Sequence, residues 1–358
     1  MLICIALLLA LIGFIFIYSA SALYAHERLA NPHYYVKRQL IGFICSIVGF
    51  FIARTIPLPY IKKYTPLFFV STLILTSLTL VPFFGTQIHG SSRWLSFFRF
   101  SFQPSELLKI GFIMYVAYFL TRKEHKRKQP WYKSYIPFLL VLAVTSIILL
   151  KQPDFGLTVT LLASAFILLF IADFHLRATA FTLLSLIPFL LLLIIMRPYR
   201  LKRVMTFLDP WADPDGAGFQ IIQSLIAIGS GHITGVGIAQ SKQKLFYLPM
   251  QHTDFIFSII AEETGFIGAL GLLMLFIAFL YCGMKLACLT TDRFSKLTIA
   301  GFTSLITLEA LINAAVVTGL VPTKGIGLPF ISYGNTALVS NALILGLIVN
   351  MAYSKNEA

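Results

Sequence analysis

The sequence predicts an all-α, polytopic membrane protein of about ten transmembrane helices, with a long extracytoplasmic loop between the seventh and the eighth. Three observations predict it. The 358 residues are 58% hydrophobic and only 12% charged, where soluble domains carry roughly a quarter charged residues. Mean hydropathy is +0.85. Apolar runs long enough to cross about 30 Å of hydrocarbon recur along the chain, with the polar residues between them. The sequence lacks the short alternating segments of a membrane β-barrel.

Run 1–23 has no basic stretch ahead of it and no small-residue cleavage site before a soluble domain, so it reads as a retained helix. Runs 38–57 and 66–84 follow, separated by Lys62 and Lys63. Run 104–121 opens on Pro104, a residue favoured in the first helical turn, and Glu106 sits where the helix dipole favours an acid. The stretch "TRKEHKRKQPWYK" (121–133) is the sharpest basic cluster, and the positive-inside rule makes it cytoplasmic. A topology signal between two spans explains it without nucleic acid. Runs 135–150, 155–173 and 178–196 come next, then 255–284, 297–319 and 334–353. Ten spans place both termini in the cytoplasm. Cys4, Cys45, Cys282 and Cys288 lie in or near apolar runs without metal-ligand spacing and read as buried structural residues.

With that topology, half of the 28 Lys and Arg fall on the outer side, several in or beside spans. Such charges are costly without an anionic partner. An outward-facing cationic cavity for a phosphorylated ligand is the expectation. The outer segment 197–253 dominates the loops, and one this long is uncommon unless functional. Pro210, Pro214 and Gly216 forbid one continuous helix there. "FQIIQSLIAIGSG" (219–231) puts Phe219, Ile222, Leu225, Ile226 and Gly229 at helical spacing, too short to span.

Four stretches carry candidate chemistry. In "GSSRWLSFFRFSFQPSELLK" (90–109), Glu106 and Lys109 share a helical face and can pair. They either neutralise each other or, with Arg93, line the cavity. "KQPDFG" (151–156) is a turn that carries Asp154. "SKQKLFYLPMQHTDF" (241–255) gathers Lys242, Lys244, His252 and Asp254 before the eighth span, where Thr253 or Asp254 could cap the helix. At about 100° per residue, Glu262 lies about 80° round from Asp254 and Glu263 on the opposite face, so no two-carboxylate pair forms. No second His or Cys makes His252 a metal ligand. "GLVPTKGIGLPFISYGNT" (319–336) breaks the backbone at Pro322, Gly325, Gly327, Pro329 and Gly334, and carries Lys324 and Ser332. Irregular backbone at membrane depth must be buried in protein or line a cavity.

In this order on a ten-span chain, "RW…QPSELLK", "QPDFG", "FLDP…GFQIIQSLIAIGSG", "YLP…HTDFIFSIIAEETGFIG" and "PTKGIGLPFISYG" resemble the SEDS family of peptidoglycan polymerases, FtsW and RodA. The similarity runs over nearly the whole chain. Met250 stands where the family often has an acid, and Asn335 where it has a second glycine. The "PTKG" form resembles the FtsW branch, which serves division, more than the RodA branch, which serves elongation. The resemblance implies one transmembrane domain over 1–358 in a bacterial cytoplasmic (inner) membrane, with part of the active site on 197–253. It implies transfer from a polyprenyl-pyrophosphate-linked glycan to lipid II, with inversion. Asp254 is then the general base, and Glu262 a structural or cavity acid. The substrate-binding set is Arg93, Glu106, Lys109, Asp154, Arg203, Lys242, Lys244, His252, Lys324 and Ser332. The resemblance assigns no certain cofactor, and a divalent cation (Mg or Mn) could share the charge. The implied partners are a class B penicillin-binding protein, which is a transpeptidase, and other divisome or elongasome membrane proteins. A lipid II flippase and a membrane scaffold are the competing readings.

Overall fold

The computed structural model describes residues 1–81, 83, 85–88, 91–97, 100–124, 131–172, 180, 181, 184, 188, 198–244, 249, 251–323 and 325–353. In chain order these form α1 (Leu2–Leu29), α2 (Tyr34–Thr55), α3 (Leu58–Leu78), β1 (Gly85–Ile88), β2 (Ser91–Phe97), β3 (Phe100–Phe102), α4 (Ser105–Glu124), α5 (Trp131–Lys151) and α6 (Phe155–Ile171). Then come α7 (Pro198–Leu208), α8 (Phe219–Ser230), α9 (Ile256–Leu289), α10 (Arg293–Val317) and α11 (Asn335–Tyr353). Among the described residues α1, α2, α9, α10 and α11 are each long and apolar enough to cross a membrane. In hydrocarbon only a helix satisfies all its own backbone groups, which is why the apolar runs take that form. The expected span 178–196 lies almost wholly outside the described residues. Run 66–84 is displaced: α3 starts at Leu58, behind Pro57 and with a proline in its first turn, and stops at Leu78.

The chain divides into two compact units. The first comprises Met1–Cys45, Leu186–Tyr281 and Ile306–Leu338. In it α8 buries Ile221, Ile222, Ser224 and Ala227. Of the stripe expected from spacing, Ile222 is buried while Leu225 is 37% and Ile226 43% exposed. A short helix that is apolar on several faces leaves that choice to its neighbours. The Ser224 hydroxyl shares a 2.6 Å hydrogen bond with Ser258 of α9 and lies 2.7 Å from the Val317 carbonyl. Within 197–218 the sequence reads as turns, yet α7 forms, with Pro198 opening it.

The eighth span is not one continuous helix. Gly265 breaks α9 at φ 69°, ψ −168°. The chain after α8 mends the gap: Val236 and Gly237 N–H donate to the Glu262 and Glu263 carbonyls at 3.0 and 3.1 Å. Phe266 and Ile267 N–H donate to His232 and Ile233 carbonyls at 2.9 and 3.2 Å. A Cβ at Gly265 would lie 2.3 Å from the Gly235 nitrogen, so this docking needs a residue without one.

The second unit comprises Ser46–Ser185, Cys282–Leu305 and Val339–Ala358. Here α4 packs on α3 where Gly111 faces Thr72 and Phe69. The loop before α4 contains an antiparallel meander in the order β1-β2-β3, with Thr86 opposite Trp94 and Ser96 opposite Ser101. The sequence reading did not anticipate these strands, which are short and hold each other by cross-strand pairing. Cys282 is buried, but Cys4, Cys45 and Cys288 are exposed, which corrects the expectation of burial. A span is apolar on both its protein side and its lipid side, so hydropathy does not separate the two.

Candidate functional site

In the first unit the turn 251–255 carries Asp254 into the N-terminus of α9. Asp254 is partly exposed and sits where the helix dipole favours a carboxylate. The turn is fastened residue by residue. The Gln251 side-chain amide donates to the Ala20 carbonyl at 2.6 Å and the Lys244 carbonyl at 3.2 Å. The His252 carbonyl accepts from Tyr333 N–H at 3.0 Å, and the Thr253 carbonyl from the Ser332 hydroxyl at 2.6 Å. The Asp254 carbonyl accepts from the Asn313 amide at 2.7 Å. Irregular backbone cannot satisfy its own carbonyls, and these contacts replace the missing ladder.

The His252 ring is buried against Tyr35, Tyr333 and Tyr24, with centroids 4.4, 5.8 and 6.0 Å away. Burial pushes its pKa down to about 4, so the ring is neutral near pH 7. Ser332 donates to Thr253 and accepts from Leu328 N–H at 2.7 Å, so both its bonds are internal to this loop pair.

Glu262 and Glu263 are each 1% exposed. The Ser241 hydroxyl donates a short hydrogen bond to Glu262, and Lys242 N–H donates to it at 2.8 Å. Glu263 accepts from the Ser19 hydroxyl at 2.6 Å, the Lys244 ammonium at 3.1 Å and Ser241 N–H at 3.4 Å. Adjacent helical residues point about 100° apart, and the 241–244 turn wraps far enough to meet both. Lys244 is therefore turned inward, in a buried ion pair with Glu263. Lys242 is exposed. On α7, Arg203 donates to the Thr323 carbonyl at 2.9 Å. Lys324 and Met250 lie outside the described residues.

In the second unit the Lys109 ammonium, buried on α4, pairs with Glu106 at 2.8 Å and reaches Asn341 on α11 at 3.3 Å. Arg93, on β2, donates to the carbonyls of Gln152 at 3.2 Å and Pro153 at 2.5 Å, and lies 3.7 Å from the Asp154 carboxylate. Asp154 also caps α6 by accepting from Leu157 N–H at 3.2 Å. The buried Gln152 amide ties this corner to the Thr76 carbonyl at 2.6 Å and the Thr79 hydroxyl at 2.5 Å.

The sequence reading missed Asn313, Gln251 and Gln152. A signal was present for Asn313: an amide inside an apolar span is expensive unless hydrogen-bonded. Among the described residues no three His, Cys, Asp or Glu side chains converge to hold a metal.

The FtsW/RodA/SpoVE family model, described as cell cycle protein, matches residues 1–357. A probable peptidoglycan glycosyltransferase FtsW of Geobacter sp. (strain M18) is 39% identical over 347 residues, 97% of this chain and 94% of that one. Stage V sporulation protein E of Bacillus subtilis is 36% identical over 99% of this chain and 97% of its own. A solved chain described under structural coordination of polymerization and crosslinking by a peptidoglycan synthase complex superposes with a TM-score of 0.81 at 28% identity. It covers 100% of this chain and 98% of that one. The Thermus thermophilus rod shape determining protein RodA, at 23% identity and a TM-score of 0.71, covers 100% of this chain and 97% of its own and shares the fold.

Proposed function

The chain belongs to the FtsW/RodA/SpoVE family of cell cycle proteins, and from that membership we propose how its side chains carry out glycosyl transfer. It is a multi-pass membrane protein and a peptidoglycan glycosyltransferase of the FtsW type, acting in cell division. The proposed reaction polymerises lipid II at the outer face of the cytoplasmic membrane, with both termini inside and 197–253 outside. The acceptor's 4-hydroxyl oxygen bonds to the donor's anomeric carbon as the bond from that carbon to the pyrophosphate oxygen breaks. Asp254 takes the hydroxyl proton, and the electron pair leaves on the polyprenyl pyrophosphate. Inversion needs one base and one stabilised leaving group, so a second catalytic carboxylate is unnecessary.

The observation that carries this reading is the fastening of the turn around Asp254 in front of α9. A base works only when held within hydrogen-bond reach of its proton, and such catalysis typically contributes about 10²- to 10⁴-fold. Lys242, which is exposed, and Arg203 are the cations proposed to meet the developing negative charge. The proposed partner is a class B penicillin-binding protein that crosslinks the new strand. The test is lipid II polymerisation by purified, folded Asp254→Asn. Loss of about 10²-fold or more is expected, and a near wild-type rate removes Asp254 from the mechanism.

A further inference from the structure

The turn that carries Asp254 is held by three successive carbonyls, and the third tie differs in kind from the other two. Tyr333 N–H and the Ser332 hydroxyl reach the first two from the irregular stretch itself. The third carbonyl, that of Asp254, is held from a helix. Asn313 on α10 is 1% exposed, and its amide nitrogen donates to the Asp254 carbonyl and to the Ile326 carbonyl, each at 2.7 Å. An amide nitrogen has two hydrogens, and both are used on backbone acceptors from two separate segments. No hydroxyl could do this, and a carboxylate would face both carbonyl oxygens with lone pairs. The Asn313 carbonyl oxygen is buried with no hydrogen-bond partner among the described residues. A buried acceptor left so is a cost, which an aliphatic residue in this apolar span would avoid. The bridging amide is what that cost maintains.

We propose that Asn313 is a positioning residue: by tying the Asp254 carbonyl to that of Ile326, it fixes the Asp254 carboxylate against the 325–333 stretch in its working geometry. The proposal rests on Asp254 acting as the base. Displacement of a catalytic group by about 1 Å can cost about 10²-fold in rate, and removing the bridge frees the backbone of the base itself.

The experiment uses the full chain, purified with lipid II as substrate, and compares wild type with N313A, N313D and D254N. Folding is checked by thermal midpoint, and kcat and KM are measured from pH 5 to 8. N313A is expected to lower kcat by about 10- to 100-fold, with KM for lipid II changed by less than about threefold. N313D should be at least as impaired at neutral pH. Its kcat relative to wild type should rise as pH falls, because the introduced carboxyl gains a proton and can donate one of the two lost bonds. A purely architectural role would lower activity only in proportion to unfolded protein and leave kcat of the folded fraction unchanged. Wild-type kcat in folded N313A, activity lost only in proportion to unfolded protein, or a pH-independent N313D ratio would each overturn the proposal. D254N separates the two levels. If it is inactive while N313A is unimpaired, only the positioning role fails; if it polymerises normally, the assignment of the base fails and this inference with it.

Discussion

Lys244→Met should destabilise the protein more than Lys244→Met combined with Glu263→Gln. Glu263 is fully buried as a side chain and its partner Lys244 is 11% exposed, at 3.1 Å. One Glu263 oxygen collects Ser19, Ser241 N–H and the Lys244 ammonium, while the other has no hydrogen-bond partner among the described residues. Two neutral donors cannot replace the lost positive charge. Breaking a buried pair by removing one member typically costs about 3–5 kcal/mol, whereas replacing both members is often near neutral. Lys244→Met and Glu263→Gln should therefore each cost about 3 kcal/mol or more, and the double variant about 0–2 kcal/mol. That implies a coupling of several kcal/mol between adjoining side chains, at or above the upper end of the usual range. The assay is a double-mutant cycle on thermal or denaturant unfolding in one detergent at one pH. Additive single effects, or a double variant worse than either single, would refute the view that the pair holds the 241–244 turn as a matched unit.

The neutral His252 sets a pH dependence. It binds a proton near pH 4 when folded and near 6.5 when unfolded, so its contribution is fully present above about 6.5 and is lost as pH falls towards 4. By pH 5 that loss is about 2 kcal/mol, and the thermal midpoint of His252→Gln should fall less between pH 7 and 5 than that of wild type. Gly265→Ala should destabilise by about 1–3 kcal/mol, through its positive φ and its contact with Gly235. Gly271→Ala, with open space around the added methyl, should leave the melting temperature unchanged or raised. Gln152→Leu should cost about 1–3 kcal/mol in denaturant unfolding by removing two buried hydrogen bonds, to the Thr76 carbonyl and the Thr79 hydroxyl. An unchanged midpoint would refute that tie.

Much of the architecture was legible from hydropathy alone, since α1, α2, α9, α10 and α11 stand on the runs read from the sequence. The Glu106–Lys109 pair was legible too, because three-residue spacing on a helix is a local geometric fact. The pairing of Lys244 with Glu263 was not: helical geometry gave the direction of Glu263 but not what lay opposite. The strands before α4 were hidden in a stretch whose alternation is too short to register.

The sequence by itself determined that this chain lies in a membrane, which runs cross it, and which charged residues are too costly to be incidental. Those conclusions depend on composition and on periods of a few residues, and the solvent enforces them. Only the tertiary structure decided what each charged group does. Asp254 owes its fixed backbone to Asn313, 59 positions away, and the neighbouring Thr253 owes its own to Ser332, 79 positions away. Gly265 can break a transmembrane helix because residues 232–237 complete its hydrogen bonds. A backbone group in irregular structure takes whichever donor folding brings to it, and no local pattern in the chain encodes that partner.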